Sequence, residues 1–121
     1  MTDVVIDNII RSQIVEDYLY FFENKDVDSV SELLSDECSL TDWNVGNIQG
    51  KENIVGFFVN LFESVDEIDV NISHIHEDFN GILICEMNLE IDSETMLVAD
   101  VIEFDDDNKI KALRAYKGYR S

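Results

Sequence analysis

The chain has 121 residues, of which 45% are hydrophobic and 10% aromatic, a composition typical of a folded protein with a buried core. Its 27 acidic and 8 basic residues give a formal net charge of −19, which repels phosphate backbones and anionic membrane surfaces. The composition excludes a disordered acidic tail, and the charge predicts that neither nucleic acid nor a membrane is a partner.

The first seven residues include acidic side chains where a secretory signal carries positive charge, and no apolar run reaches membrane-spanning length. We therefore expect a cytoplasmic protein. Proline is absent, and no internal repeat or low-complexity linker interrupts the chain, so residues 1–121 are predicted to form a single domain. Cys38 and Cys85 lie far apart, outside any CxxC spacing, which indicates reduced thiols.

Three helices are predicted in the first half of the chain. The first covers residues 9–24, and a second, shorter helix is capped by either Asp26 or Asp28. The third covers residues 51–64 and has a broad apolar face that should cover a sheet. The apolar stripe of the first helix recurs at three- and four-residue steps and consists of Ile10, Ile14, Tyr18, Phe21 and Phe22.

Strands are predicted from alternating apolar residues, beginning with a short strand at residues 38–43. In the second half, strands are expected at residues 68–76, 82–91, 95–104 and 109–119. Turn residues separate them, including Asn80-Gly81 and the run 105–108. The order ααβαββββ predicts an α+β fold in which the helices pack on one face of a curved, mainly antiparallel sheet.

Several polar groups on the predicted strands have alternative interpretations. His74 and His76 share the face of Ile68, Val70 and Ile72, but two ligands without a third predict a solvated or core-edge pair and no metal site. Glu86 is either a further polar group of a cavity or a solvent-facing strand residue. The acidic run 105–108 lacks the spacing of a calcium loop, so a hairpin turn explains it.

Four stretches carry a resemblance to a known family: residues 18–28, 40–46, 98–104 and 109–116. From about Ile14 to Tyr119 the chain resembles the ketosteroid isomerase and SnoaL-like branch of the nuclear transport factor 2-like superfamily. The resemblance implies a cone in which a strongly bent antiparallel sheet packs on three N-terminal helices and encloses an apolar pocket. It also implies three site residues: Tyr18 and Asp100 as an oxyanion hole, and Asp42 as the general base.

The residues themselves support part of this assignment. Asp100 shares its strand face with four apolar residues, so its carboxyl should be buried, which raises its pKa and favours a neutral hydrogen-bond donor. Tyr18 lies on the buried stripe of the first helix, where its hydroxyl needs a ligand carbonyl, Asp100, backbone or water as partner. Asp42 ends a short strand beside Trp43, so it either opens onto a pocket or binds turn N–H groups before Gly46.

The leading functional hypothesis is an isomerase or SnoaL-like cyclase, without metal or organic cofactor, that removes a proton alpha to a carbonyl of a small apolar ligand. Trp43 stands where steroid isomerases commonly have proline and should narrow the cavity. The alternative is a non-catalytic ligand-binding or interaction module of the same fold. Epoxide hydrolysis, as in the related limonene epoxide hydrolases, would need an arginine between two aspartates, and Arg114 is the central candidate.

The resemblance also implies a homodimer that pairs through the exposed face of the sheet. The residues expected on that face, outside the cone, are Leu97, Ala99, Val101, Leu113 and Ala115.

Overall fold

The computed structural model describes residues 2–78 and 80–118. Its three helices are α1 (Thr2–Glu23), α2 (Val27–Leu33) and α3 (Lys51–Ser64). Six strands form one sheet, namely β1 (Leu34–Asp42), β2 (Gly46–Gln49), β3 (Ile68–Glu77), β4 (Leu83–Ile91), β5 (Glu94–Phe104) and β6 (Ile110–Lys117). The predicted α+β class, with helices followed by a mainly antiparallel sheet, is confirmed.

The buried stripe of α1 packs against the sheet and α3. Val15, Tyr18, Leu19 and Phe22 are buried at three- and four-residue steps, whereas Ile10 of the predicted stripe is exposed. The side-chain pattern therefore located the helix but misplaced the edge of its buried face.

A Schellman-type turn ends α1 and starts α2. Lys25 adopts the left-handed conformation (φ 57°), and the Asp26 N–H donates to the Phe21 carbonyl at 2.9 Å. The Asp26 carboxylate then accepts from the Ser29 N–H at 3.2 Å and the Ser29 hydroxyl at 2.7 Å. Asp26, and not Asp28, is thus the N-cap of α2.

The sheet order is β2-β1-β6-β5-β4-β3, with β1 and β6 parallel and every other pair antiparallel. The prediction missed β2, a four-residue edge strand next to two glycines, because it is too short and exposed to show alternation. It also started β1 four residues late. The predicted last strand ran to Tyr119, which lies outside the described residues.

A β-bulge in β3 overturns one predicted face. Ile72 pairs with Met87, but the next paired residue is His74, which faces Glu86, so Ser73 is the additional residue. One extra residue reverses the side-chain alternation beyond it. Ile75 therefore points to the core, while His74 and His76 lie on the outer face, away from Ile68 and Val70.

Two predicted turns are organised by aspartates. Asp78 accepts from the Asn80 and Ile82 N–H groups, both at 2.9 Å, and Gly81 has a positive φ of 77°. That positive φ explains the glycine, because residues with a Cβ rarely adopt it. Asp105 likewise accepts from the Asp107 and Lys109 N–H groups, so the acidic run forms a hairpin turn as predicted.

Candidate functional site

A cavity of about 530 Å³ lies between the helices and the inner face of the sheet. This volume falls in the range of small-molecule sites. Most of its lining is aromatic or aliphatic, with a few polar groups. The principal lining residues come from α1, α3, β1 and its following turn, β4, β5 and β6: Tyr18, Phe22, Leu40, Asp42, Trp43, Asn44, Phe57, Phe58, Asn60, Leu61, Ser64, Met87, Leu89, Val98, Asp100, Leu113 and Ala115.

Strand register places two carboxylates in one row across the strands, on the inner face of the sheet that forms the cavity floor. Asp100 of β5 pairs with Ala115 of β6. In the parallel pair of β1 and β6, Thr41 is opposite Arg114. The same register, continued by one residue, places Asp42 opposite Ala115. Two strand spacings therefore put the Asp42 and Asp100 Cα atoms roughly 10 Å apart, with only an alanine between them.

Asp100 is one of two buried polar residues in the described core, with 8% of its surface exposed. Burial, followed by the negative charge of Asp42, raises the pKa of the Asp100 carboxyl from 3.8 to about 7. Near neutral pH a substantial fraction of the carboxyl is therefore protonated and able to donate a hydrogen bond. The neighbouring strand residues that create this environment include Val98 and Ile102, as the alternation predicts.

Tyr18 enters the cavity from α1 and is 5% exposed. Its ring packs against Phe22 and Phe58, each with a centroid separation of 6.3 Å. Burial, and then the charges of Asp100, Cys38 and Asp42, raise the pKa of the Tyr18 hydroxyl well above its usual value, so it stays a donor. Within residues 2–78 and 80–118, neither Tyr18 nor Asp100 has a hydrogen-bonding partner for its side chain.

Asp42 fulfils both interpretations that the sequence left open. It lines the cavity at the end of β1, and its Oδ1 atom accepts a 2.7 Å hydrogen bond from the Asn44 N–H in the turn that follows. That bond fixes the carboxylate at the cavity wall. Trp43, the next residue, also lines the cavity and is 39% exposed.

Other predicted polar residues lie outside this cavity. Glu86 is on the outer face of β4, where its carboxylate is 2.5 Å from Nε2 of His76, and that hydrogen bond lowers the pKa of Glu86. The His74 and His76 rings stack with centroids 5.7 Å apart. Arg114 also faces outward and forms an ion pair with Glu103. In the described part of the chain, no group of three or more His, Cys, Asp or Glu residues could hold a metal ion.

The structure corrects the expected outer face of β6. Leu113 and Ala115 line the cavity, while Arg114 and Tyr116 face outward opposite Val101 and Ala99. The prediction assigned β6 the wrong alternation phase. Sequence reasoning also missed Asn60 and Ser64, although their spacing with Phe57 on α3 places all three on one helical face.

Both cysteines are free and fully buried in the core. Burial raises the pKa of each thiol to about 12, so neither is a nucleophile near neutral pH. The cavity lining of the described chain contains no lysine, arginine or histidine. Asp42, Asp100 and Tyr18 are therefore the groups in the cavity that can transfer protons.

Comparison with known proteins places the chain in a family. The sequence model of the SnoaL-like domain matches residues 15–113, most of the chain. The chain belongs to the SnoaL-like domain family. Among curated proteins, none matches the sequence significantly. No described helix of this SnoaL-like protein has the length and apolar character required to cross a bilayer.

Solved structures confirm the predicted nuclear transport factor 2-like cone. Bal32a, from a soil-derived mobile gene cassette, superposes with a TM-score of 0.81 at 15% identity, covering 92% of this chain and 91% of Bal32a. A candidate SnoaL-like polyketide cyclase from Shewanella denitrificans gives 0.79 at 16% identity, covering 91% of each chain. The epoxide hydrolase/cyclase-like enzyme SalBIII, which has a role in pyran ring formation, gives 0.77 at 17% identity, with coverage of 89% and 90%.

The raised pKa of Asp100 predicts a pH-dependent stability. The unfolded chain loses this proton near pH 3.8 and the folded chain near 7, so the native state binds the extra proton between these values. Stability therefore falls as pH rises through this window, and Asp100→Asn removes the fall. Urea unfolding measures the free energy of unfolding of both proteins. Between pH 5 and pH 8 this free energy should rise by about 2–3 kcal/mol in Asp100→Asn relative to the unmodified chain.

Asp106→Asn is the matched control, because it removes the same charge from an exposed turn residue. Starting at pH 5 keeps the protein above its isoelectric point of about 4.1. A constant stability difference between Asp100→Asn and the unmodified chain across this range would contradict a neutral Asp100.

Proposed function

We propose that this SnoaL-like protein abstracts a proton alpha to the carbonyl of a small, apolar, uncharged ligand, as an isomerase or a cyclase. The observation that carries the proposal is the row of Asp42 and Asp100 in one apolar cavity, with the Asp100 pKa raised to about 7. A carboxylate base and a neutral carboxylic acid in one site divide the roles of general base and hydrogen-bond donor.

In this mechanism Asp42 removes the proton, since its carboxylate is fixed by the Asn44 N–H and opens into the cavity. Negative charge then develops on the carbonyl oxygen. Tyr18 and Asp100 would donate hydrogen bonds to that oxygen, because both have donor groups without a protein partner in the described chain. Asp42 returns the proton to the gamma carbon in an isomerisation. In a cyclisation the enolate carbon attacks a second carbonyl of the ligand, and the resulting alkoxide takes the proton from Asp42.

The charge of the cavity supports an uncharged ligand. Two acidic groups and no cationic side chain line it in the described chain, and the whole protein carries a net charge of −19. An anionic ligand would be repelled and would lose hydration without gaining a counter-charge. Metal and organic cofactors have no part in this proposal, since the proton transfers need only the three named side chains.

The alternative function is non-catalytic binding of the same kind of ligand in the same cavity. Epoxide hydrolysis of the arginine-dependent kind is not supported, because Arg114 lies on the outer face beside Glu103. Turnover separates the two remaining functions. The test is conversion of a β,γ-unsaturated ketone, such as cyclohex-3-en-1-one, to its conjugated isomer, followed by ultraviolet absorbance for the unmodified chain and the Asp42→Asn variant.

We also propose a homodimer formed through the outer face of the sheet. Ile84, Leu97 and Tyr116 are exposed there by 38%, 39% and 54%, and they form an apolar patch with the half-buried Ala99 and Val101. A patch of this kind on a soluble protein favours association. Each copy carries a net charge of −19, and the repulsion between two copies opposes this association.

Light scattering at micromolar concentration should therefore give a dimer that becomes tighter as salt screens the repulsion. Leu97→Glu should shift the protein towards monomer. Ile9→Glu, which adds the same charge to an exposed isoleucine of α1, should not. A monomer at both low and high salt would rule out the proposed dimer.

A further inference from the structure

Cys85 is the cross-strand neighbour of Asp100 on the inner face of the sheet. In the antiparallel pair of β4 and β5, Cys85 is the register partner of Asp100, and Ala115 is its partner on the other side, in β6. Side chains in such pairs have Cβ atoms roughly 5 Å apart. Cys85 is fully buried and outside the cavity lining, whereas Asp100 lines the cavity. The Asp100 carboxyl therefore lies between a buried thiol, a methyl group and the cavity.

Neither of these two neighbours is a strong hydrogen-bonding partner for the carboxyl. The Ala115 side chain has no polar atom, and a thiol is a weak donor and a weak acceptor. Within residues 2–78 and 80–118, no hydrogen bond joins Cys85 to Asp100. Burial raises the pKa of the Cys85 thiol to about 12, so this neighbour also has no charge near neutral pH. The carboxyl is thus left to find its partner in the cavity.

The titratable groups around Asp100 come from three elements. Tyr18 of α1 and Asp42 of β1 line the same cavity, and Cys85 belongs to β4. In the described chain, α3 and β6 bring no titratable side chain to the cavity lining. After burial, the charge of Asp42 is the influence that acts on the Asp100 carboxyl. Substitutions at position 85 leave that charge in place, so their effect on Asp100 can be measured separately.

We infer that Cys85 is a positioning residue that keeps the Asp100 carboxyl free to donate a hydrogen bond into the cavity. The inference rests on the proposed function for the ligand's use of Asp100, but not for the state of the carboxyl itself. A hydroxyl at position 85 would donate to the carboxylate form and stabilise it. Asp100 would then lose its proton at lower pH, and its oxygens would be bonded within the sheet.

Cys85→Ser tests this inference, since it exchanges only sulfur for oxygen. Carbon-13 chemical shifts of the Asp100 carboxyl group measure its pKa, which should fall by at least about one pH unit from about 7 in the unmodified chain. Isothermal titration calorimetry of 2-naphthol gives a second readout. The 2-naphthol oxygen can accept from Asp100, so its affinity should decline as pH rises through the Asp100 pKa. In Cys85→Ser this decline should occur at correspondingly lower pH.

Two controls separate the hydroxyl from a general disturbance of the core. Cys38→Ser makes the same exchange at the other free, fully buried cysteine, in β1, which β6 separates from β5. Cys85→Ala removes the thiol and adds no hydroxyl. Both variants should keep the Asp100 pKa of the unmodified chain. Circular dichroism checks each fold, and Cys85→Thr, which adds the same hydroxyl on a β-branched side chain suited to a strand, decides the matter if Cys85→Ser does not fold.

An Asp100 pKa in Cys85→Ser equal to that of the unmodified chain overturns the inference, and so does an equal fall in Cys85→Ala or Cys38→Ser. These titrations need neither substrate nor ligand. If the Asp100 pKa falls in Cys85→Ser but the pH dependence of 2-naphthol binding does not move, the ligand makes no use of Asp100. The proposed function then fails while the effect of Cys85 on Asp100 stands, so the two failures are distinguishable.

Discussion

Asp42→Asn is expected to lower turnover of a β,γ-unsaturated ketone by about 10²–10⁴-fold, the usual contribution of a general base. The amide has the shape of the carboxylate but cannot accept the substrate proton. Its oxygen can still accept the hydrogen bond from the Asn44 N–H, so the turn after β1 should remain intact. Binding of 2-naphthol should persist, because Tyr18 and Asp100 still line the cavity.

Asp36→Asn is the control for this experiment, since Asp36 is an exposed residue of the same strand and its replacement changes the net charge equally. Turnover should be unaffected. Equal activity of Asp42→Asn and the unmodified chain would eliminate Asp42 as the base and leave the ligand-binding function as the better account of the cavity.

Tyr18→Phe is expected to reduce the rate by about 10²–10³-fold, the scale of one oxyanion hydrogen bond. The substitution removes only the hydroxyl, so the ring should keep its contacts with Phe22 and Phe58. The raised pKa of Tyr18 means that the hydroxyl is a donor throughout the working pH range, and the loss should therefore not depend on pH between 6 and 8.

Tyr20→Phe tests whether removal of any tyrosine hydroxyl from α1 has this effect. Tyr20 is two residues away and 64% exposed, outside the cavity. We expect its variant to retain full activity. A rate in Tyr18→Phe that equals the Tyr20→Phe rate would show that Tyr18 is a core tyrosine without a part in turnover.

Activity should also decline as pH rises through about 7, because Asp100 loses the proton with which it donates. Asp42→Asn removes the second cause of the raised Asp100 pKa, the neighbouring negative charge, so the Asp100 pKa should decrease in that variant. Carbon-13 chemical shifts of the Asp100 carboxyl group measure both values directly.

Local sequence patterns predicted most elements, but not the sheet's finer geometry. The spacing of apolar residues located α1 and α3, and a cap located α2, since these signals act within a few residues of the chain, although α1 begins at Thr2, seven residues before its predicted start. β2 was missed because its four residues depend on pairing with β1. The bulge at Ser73 was invisible for the same reason, since only the partner strand β4 reveals which residue is extra.

The sequence by itself determined the buried setting of Asp100 and Tyr18, because each occurs at the periodicity of an apolar face. The resemblance added Asp42. Only the tertiary structure decided that all three line one cavity, that Arg114 and Glu86 lie outside it, and that Ala115 separates the two carboxylates. The physical reason is that strand register and alternation phase are fixed by long-range pairing, and a shift of one residue exchanges the inner and outer faces.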